Sequence, residues 1–144
     1  MAPEDRSYSE LIAAAVSAQA NAYAPYSGIR VGAAVLTADG RIVTGANVEN
    51  SAYGDTICAE RAALLRAYAM GLRDIEAVAV TASGAGLDPS AVVSPCGSCR
   101  QMLYEASEVA GRDIAVVMVS PDGGNVTVMP ISELLPLPFS AKRH

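Results

Sequence analysis

Histidine is nearly missing from this chain: among 144 residues the only one is His144, the last. A chain terminus is seldom ordered enough to position a catalytic base. A Ser-His-Asp triad, a Cys-His nucleophile pair and the paired histidines of an HExxH helix are therefore excluded. The reactive groups of this protein must come from other residue types.

Aromatic residues, positive charge and long apolar runs are also scarce. With no Trp and one Phe, the core must be built from Ala, Val, Leu and Ile. Lys and Arg number 10 against 15 Asp and Glu, and the net charge of -5 argues against nucleic acid or an anionic membrane as the main partner. No apolar run approaches the roughly 18 residues of a membrane-spanning helix. The acidic N-terminus is unlike a secretory signal, so we expect a cytoplasmic protein with a small-molecule partner.

The remaining pattern predicts one domain, residues 1–144, because 51% of the residues are hydrophobic and this length suits a single core. Ser7 and Glu10 have capping-box spacing, which places the start of the first helix at Ser7. Periodicity and turn signals predict helices at 7–24, 56–70, 97–109 and 131–135, and strands at 30–36, 41–45, 75–82, 114–119 and 126–129. Turn-linked strands pair antiparallel and helix-linked strands favour parallel pairing, which together predict an α/β fold with one mixed five-stranded sheet covered by helices.

Three cysteines fall at the predicted starts of two helices. Cys96 and Cys99 form a C-x-x-C pair, and Cys58 lies upstream at the start of an earlier helix. The positive end of a helix dipole lowers a cysteine pKa and favours the thiolate that a metal requires. Zinc bound by three thiolates keeps its fourth tetrahedral position open, which is the arrangement of a catalytic site.

Glu60 and Arg61 stand next to the first of these cysteines. Residues two apart on a helix point to different sides, so Glu60 would not bind the same ion as Cys58. Glu60 can instead take a proton from a zinc-bound water and later deliver it to a substrate nitrogen. Three thiolates and one Zn²⁺ sum to a charge of -1, and Arg61 is the nearest group that could offset it.

Each feature also has a simpler interpretation. The C-x-x-C pair could be a thioredoxin-like redox pair, although this leaves Cys58 and Glu60 unexplained. Cys58 by itself is more often a small buried residue, and Glu60 by itself is usually a solvated helix charge. The combination of C-A-E-R with a later P-C-x-x-C is much harder to reach by chance than its parts.

The segments Cys58-Ala59-Glu60 and Pro95-Cys96-Gly97-Ser98-Cys99 resemble the small zinc-dependent cytidine deaminase family. The resemblance extends through "YAPYSGIRVGAA", "TGANVENSAYGDTICAER" and "SPCGSCRQMLYE" over nearly the whole chain. It implies a three-layer α-β-α fold, one Zn²⁺ per chain on the three cysteines, and hydrolytic deamination of cytidine and deoxycytidine to uridine and deoxyuridine plus ammonia. In that reaction a zinc-activated hydroxide attacks C4 of cytosine while Glu60 carries the protons.

The resemblance also implies how substrate and subunits are arranged. Asn47 and Glu49 match the positions that hold a ribose hydroxyl, although Asn47 and Asn50 could be ordinary turn residues after a strand. Ala59 matches a position whose backbone contacts the base. Tyr53 and Phe139 match aromatics that reach a neighbouring subunit's site in a homotetramer. By the same resemblance, Arg61 neutralises the thiolates.

Two departures from the family pattern bear on the substrate. Ile29 stands where the family usually has an aromatic that lines the nucleoside site, and Asp55 brings a charge close to the zinc helix. A modified cytosine nucleoside, such as blasticidin S or an N4-substituted compound, is therefore the alternative substrate, with Glu49 arguing against blasticidin S. A noncatalytic zinc module and a nucleic-acid editing enzyme are weaker alternatives, because Glu60 is present and no basic stripe is.

Overall fold

The computed structural model describes residues 8–141. Its helices are α1 (Ser9–Ala18), α2 (Ala59–Ala69), α3 (Gly97–Ala110) and α4 (Ile131–Leu134), and its strands are β1 (Arg30–Thr37), β2 (Ile42–Ala46), β3 (Ile75–Ser83), β4 (Ala115–Val119) and β5 (Val126–Pro130). Short 3₁₀ turns follow α1 at Gln19–Asn21 and precede α2 at Tyr53–Asp55. The predicted order of helices and strands is confirmed.

The five strands form one sheet in the order β2-β1-β3-β4-β5. β1 pairs antiparallel with β2 and β3, and β4 pairs antiparallel with β5. β3 and β4 are parallel because α3 carries the chain back to the same edge of the sheet. The predicted mixed five-stranded sheet is therefore confirmed.

Both faces of the sheet are covered by helices. On one face, Leu11 and Ala15 of α1 pack over alternate strand residues that include Ala34, Ala79 and Val117. The opposite face meets α2, α3 and α4, and its inward side chains come from the intervening positions: Ala33, Val35, Val78, Val80, Val116 and Met118. The central strands β3 and β4 are thus buried on both sides, as their continuous apolar sequence predicts. This is the three-layer arrangement.

The predicted end of the first helix and the predicted start of the second are wrong. The first helix was expected at 7–24, but α1 ends at Ala18 and its 3₁₀ turn ends at Asn21, because Tyr23 pairs with Val48 and the residue before Pro25 is disfavoured in a helix. The proposed cap at Ser7 lies outside the described residues. The second helix was expected from residue 56, but α2 begins at Ala59 because Ile57 also pairs with Val48.

Within residues 8–141, every helix falls short of the length and apolarity required to cross a membrane.

Two strand glycines let helices lie directly against the sheet. A Cβ built on Gly32 would sit 2.0 Å from the carbonyl oxygen of Ala15 in α1. One built on Gly45 of β2 would sit 2.3 Å from the backbone nitrogen of Ala63 in α2. Since α2 begins immediately after Cys58, Gly45 sets how deeply the start of the predicted zinc helix is seated on the sheet.

Replacing Gly45 with alanine should lower the free energy of unfolding by about 1 to 3 kcal/mol, because the new methyl group overlaps helix backbone that cannot rotate away. The midpoint of urea unfolding measures this. Gly54→Ala is the control, since a Cβ there meets nothing within 4 Å. Equal midpoints for the two variants would contradict the packing role of Gly45.

Candidate active site

Val48 lies in the middle of three short backbone segments that pair at one end of the sheet, with Tyr23 on one side and Ile57 on the other. Its backbone exchanges two hydrogen bonds with Ile57, of 3.0 and 2.9 Å. On its other side, Tyr23 donates to the carbonyl of Asn47 at 2.9 Å and accepts from the amide of Glu49 at 2.8 Å. These bonds bring the loop after α1, the segment after β2 and the start of α2 together.

The three cysteines lie together at two helix N-termini, as predicted. Cys58 is the N-cap of α2 and Cys96 is the N-cap of α3, while Cys99 lies in the first turn of α3 and is fully buried. The Cys96 sulfur is 3.8 Å from that of Cys58 and 3.6 Å from that of Cys99. All three sulfurs lie within 4.8 Å of one another, and the cysteines are free of disulfides. An isolated redox pair is therefore not what the fold builds.

The spacing of these sulfurs fits zinc. With Zn–S bonds of about 2.3 Å, two ligands of a tetrahedral ion lie roughly 3.8 Å apart. The measured separations of 3.8 and 3.6 Å match this, and thiolates are ligands that zinc prefers. Among residues 8–141, these cysteines form the one metal-competent cluster of His, Cys, Asp or Glu, so a fourth coordination position is left for water or substrate.

The cysteine pKa values differ with burial. Burial raises the pKa of Cys99 and of Cys58 above the ordinary range of a thiol. Burial also acts against ionisation of Cys96, but the backbone amides of Cys99 and Ser98 lower its pKa below the usual value. A zinc ion that binds here must displace the remaining thiol protons, so its affinity falls as pH falls.

Glu60 lies in the first turn of α2 and is 5% exposed. Burial raises the pKa of its carboxyl, while the backbone amide at the helix start and the charge of Arg61 act in the opposite direction. The carboxyl lies beside Cys99 but does not belong to the three-sulfur cluster. This placement, next to the three-sulfur cluster without belonging to it, is the position expected of a proton carrier.

Arg61 places a positive charge against the cysteines. Burial opposes that charge, but the interactions with Cys58 and with the negative charges of Cys99 and Cys96 raise the pKa of Arg61. Its Nη2 donates to the carbonyl of Thr56 at 3.0 Å. Its Nε is buried and makes no hydrogen bond with the described part of the chain. The guanidinium is thus directed to the cluster that it was expected to neutralise.

A cavity of about 320 Å³ opens between the loop after α1, the segment after β2 and the 3₁₀ turn before α2. Its lining residues are Tyr26, Ser27, Glu49, Tyr53 and Thr56. Thr56, in the wall of the cavity, lies two residues before Cys58 in the sequence, so the cavity wall and the cysteine cluster share one stretch of backbone. The volume is at the lower end of the range for small-molecule sites.

Asn47 and Glu49 both lie at this end of the sheet, and both already have partners. The buried amide of Asn47 accepts from Val31 N–H and donates to the carbonyl of Ile29, each at 2.9 Å. One Glu49 oxygen accepts from the amides of Tyr26 and Ser27 at 2.9 and 3.1 Å. The other accepts from the Ser27 hydroxyl, and these bonds, that of the hydroxyl first, lower the pKa of Glu49. Glu49 therefore faces the cavity as an ionised acceptor.

The remaining predicted substrate residues surround this region. Ala59 is fully buried at the first position of α2. Ile29 follows the cavity loop and approaches Gly84, where a Cβ would lie 3.1 Å from its Cα. Tyr53 is 73% exposed and meets Tyr26 edge to face, with ring centroids 5.7 Å apart. Asp55, in the same turn, is exposed and is not among the residues that line the cavity.

Phe139 is exposed on a firmly held backbone. The side-chain amide of Gln101 donates to the carbonyl of Phe139 at 2.9 Å and accepts from its N–H at 3.1 Å. The Ser140 hydroxyl donates to Glu108 at 2.7 Å, which ties the next residue to the same helix, α3. The ring of Phe139 is nevertheless 76% exposed, so within one chain it packs against little.

Sequence reasoning missed three residues that hold this site together. Ser27 binds Glu49, and Gln101 holds the tail, as described above. Arg100 donates from Nε to the carbonyl of Pro95 at 2.8 Å and from Nη1 to the carbonyl of Leu134 at 3.0 Å, which joins the cysteine loop to the end of α4. The one sequence signal for Arg100 and Gln101 is that they directly follow Cys99, and so lie next to a predicted zinc ligand.

A three-layer α/β domain with three thiols and a buried carboxylate at two helix N-termini defines a zinc enzyme. The chain belongs to the cytidine and deoxycytidylate deaminase family, whose zinc-binding region model matches residues 5–118. Cytidine deaminase of Halalkalibacterium halodurans is 44% identical over 92% of this chain and 93% of its own, and that of Sporosarcina psychrophila is 41% identical over 91% and 90%. The crystal structure of cytidine deaminase from Burkholderia pseudomallei is 40% identical and superposes with a TM-score of 0.79 over 93% of this chain and all of that one.

Purified protein should contain one zinc ion per chain, and Cys96→Ala should weaken zinc binding by more than about 100-fold, because one of three ligands is lost. Elemental analysis after dialysis against a weak chelator measures this. Ser98→Ala is the control, since Ser98 is exposed between the two ligands of α3. Full zinc content in both Cys96→Ala and Cys99→Ala would place the metal elsewhere.

Proposed function

We propose that this enzyme hydrolyses cytidine and deoxycytidine to uridine and deoxyuridine, releasing ammonia. The observation that carries the proposal is the buried Glu60 beside the three-cysteine cluster. The relatives named cytidine deaminase support the same reaction, since the chain spans nearly their whole length. They do not favour a modified cytosine nucleoside as the main substrate.

In this reaction Cys58, Cys96 and Cys99 would hold the zinc ion. When bound, zinc lowers the pKa of water toward about 7 and so supplies a nucleophile at neutral pH. Glu60 would accept one proton from the attacking water and donate it to N3 of the cytosine. It would then take the remaining proton of the hydroxyl added at C4 and deliver it to the amino group, which leaves as ammonia. Arg61 offsets the net negative charge of three thiolates and the ion, and the buried setting of Glu60 keeps bulk water from competing for its proton.

Recognition of the nucleoside falls to the segment after β2. Glu49 faces the cavity as an acceptor for a sugar hydroxyl, and Asn47 keeps donor and acceptor capacity beyond its two backbone bonds. Ala59 offers its backbone to the base, and Ile29 stands where an aromatic is usual. The lining residues include an acid and no cation, so a 5′-phosphate finds no partner there. A nucleoside fits this cavity better than a nucleotide.

Glu60→Gln should lower kcat for cytidine by about 100- to 10,000-fold, because the amide has the same shape but cannot carry a proton. The loss of ultraviolet absorbance as cytidine becomes uridine follows the rate, and zinc content should stay at the wild-type value. Glu10→Gln, on the opposite face of the sheet, is the matched control. A Glu60→Gln enzyme with wild-type kcat would contradict the proposed role.

We also propose that residues 1–144 act as one catalytic domain within a homotetramer whose subunits complete each other's sites. Two aromatic side chains support this, since Tyr53 and Phe139 are both largely exposed while their backbones are held by hydrogen bonds. Large exposed aromatics on ordered backbone are typical of interfaces.

The reaction fits a cytoplasmic role in pyrimidine salvage, in which nucleosides are returned to the uracil pool.

Phe139→Ala should lower kcat/KM for cytidine about tenfold, because a stacking contact from a second subunit is lost. The melting temperature should change little, since the ring is exposed within its own chain. Leu137→Ala is the control, because Leu137 is 93% exposed in the same tail. A wild-type protein that sediments as a monomer would refute the shared site.

A further inference from the structure

The Ser27 hydroxyl joins the cavity loop to Glu49. It donates to one Glu49 oxygen and accepts from Ile29 N–H at 3.0 Å. Because a hydroxyl has a single proton, Ser27 has no donor left for a ligand. Its position in the cavity lining therefore serves Glu49 rather than the substrate directly.

The bonds to Glu49 leave little of its carboxylate free. Two backbone amides occupy one oxygen, and the Ser27 hydroxyl occupies one of the two lone-pair directions of the other. An ionised carboxylate has about four such directions. One acceptor direction remains, on the oxygen that Ser27 holds, and its orientation is set by that hydroxyl.

This arrangement restricts what Glu49 can recognise. A single fixed acceptor pairs with a donor such as an alcohol, whereas an anionic or acceptor-only group at that point is repelled. The amides of Tyr26 and Ser27 hold only the first oxygen. Without the serine hydroxyl, the second oxygen would turn more freely, and the cost of fixing it would fall on substrate binding.

We infer that Ser27 is a positioning residue that fixes the Glu49 carboxylate as a selective acceptor for a sugar hydroxyl. The inference rests on the proposed deamination of cytosine nucleosides. It assigns discrimination between sugars with and without 2′- and 3′-hydroxyls to Ser27, whose own hydroxyl proton is already used on Glu49.

The test compares Ser27→Ala with wild type on cytidine and on 2′,3′-dideoxycytidine, which lacks the 2′- and 3′-hydroxyls of the sugar and keeps the 5′-hydroxyl. With cytidine, Ser27→Ala should raise KM about tenfold while kcat changes less than about twofold, because a charge-assisted contact becomes poorly oriented. With dideoxycytidine, the KM of the two enzymes should agree within about twofold. Ser27→Thr, which keeps a hydroxyl, should restore most of the cytidine KM.

The two substrates separate positioning from general damage to the loop. Ser27→Ala also removes the acceptor for Ile29 N–H, and a loosened loop would impair both substrates by the same factor. Equal factors for cytidine and dideoxycytidine would overturn the inference while leaving the deaminase activity standing. A zinc-loaded wild type that is inactive on both nucleosides would overturn the proposed function and this inference with it.

Discussion

The backbone pairing around Val48 is the interaction on which the site depends. Val48 bonds to Ile57, the residue before Cys58, and its two neighbours Asn47 and Glu49 bond to Tyr23 in the loop that carries Ser27. These hydrogen bonds lie outside the main sheet, yet they determine where α2 begins and therefore where the first sulfur stands. The cavity wall and the metal cluster are consequently built on one short piece of backbone.

Charge balance is the second constraint on the site. Three thiols, Glu60 and Glu49 gather acidic groups at one end of the fold, while Arg61 is the cation directed at the cysteines. Burial raises the pKa of Cys99 and of Glu60, and so works against a negative charge on either group. A bound divalent cation and the Arg61 guanidinium would together offset the negative charge of these groups. This local compensation matters in a chain whose net charge is already -5.

Local signals in the sequence were enough for most of the fold and for the clustering of the three cysteines. The C-x-x-C pair and the apolar runs of the strands can each be recognised within a few neighbouring residues. Other features depend on contacts with separate segments of the chain. These are the true start of α2, the hydrogen bond of Arg100 to Leu134 and that of Gln101 to Phe139. Such contacts leave no periodic trace, so the roles of Ser27, Arg100 and Gln101 became visible only in three dimensions.

Helix α3 begins with two sulfur ligands and, within the same first turns, carries the amide that holds Phe139. Metal affinity and the order of the tail are therefore properties of one rigid element. By thermodynamic reciprocity, whatever free energy metal binding contributes to ordering the tail, a contact that restrains the tail contributes equally to metal binding. A partner subunit that binds the tail would thus act on the metal site through α3, without contacting the metal.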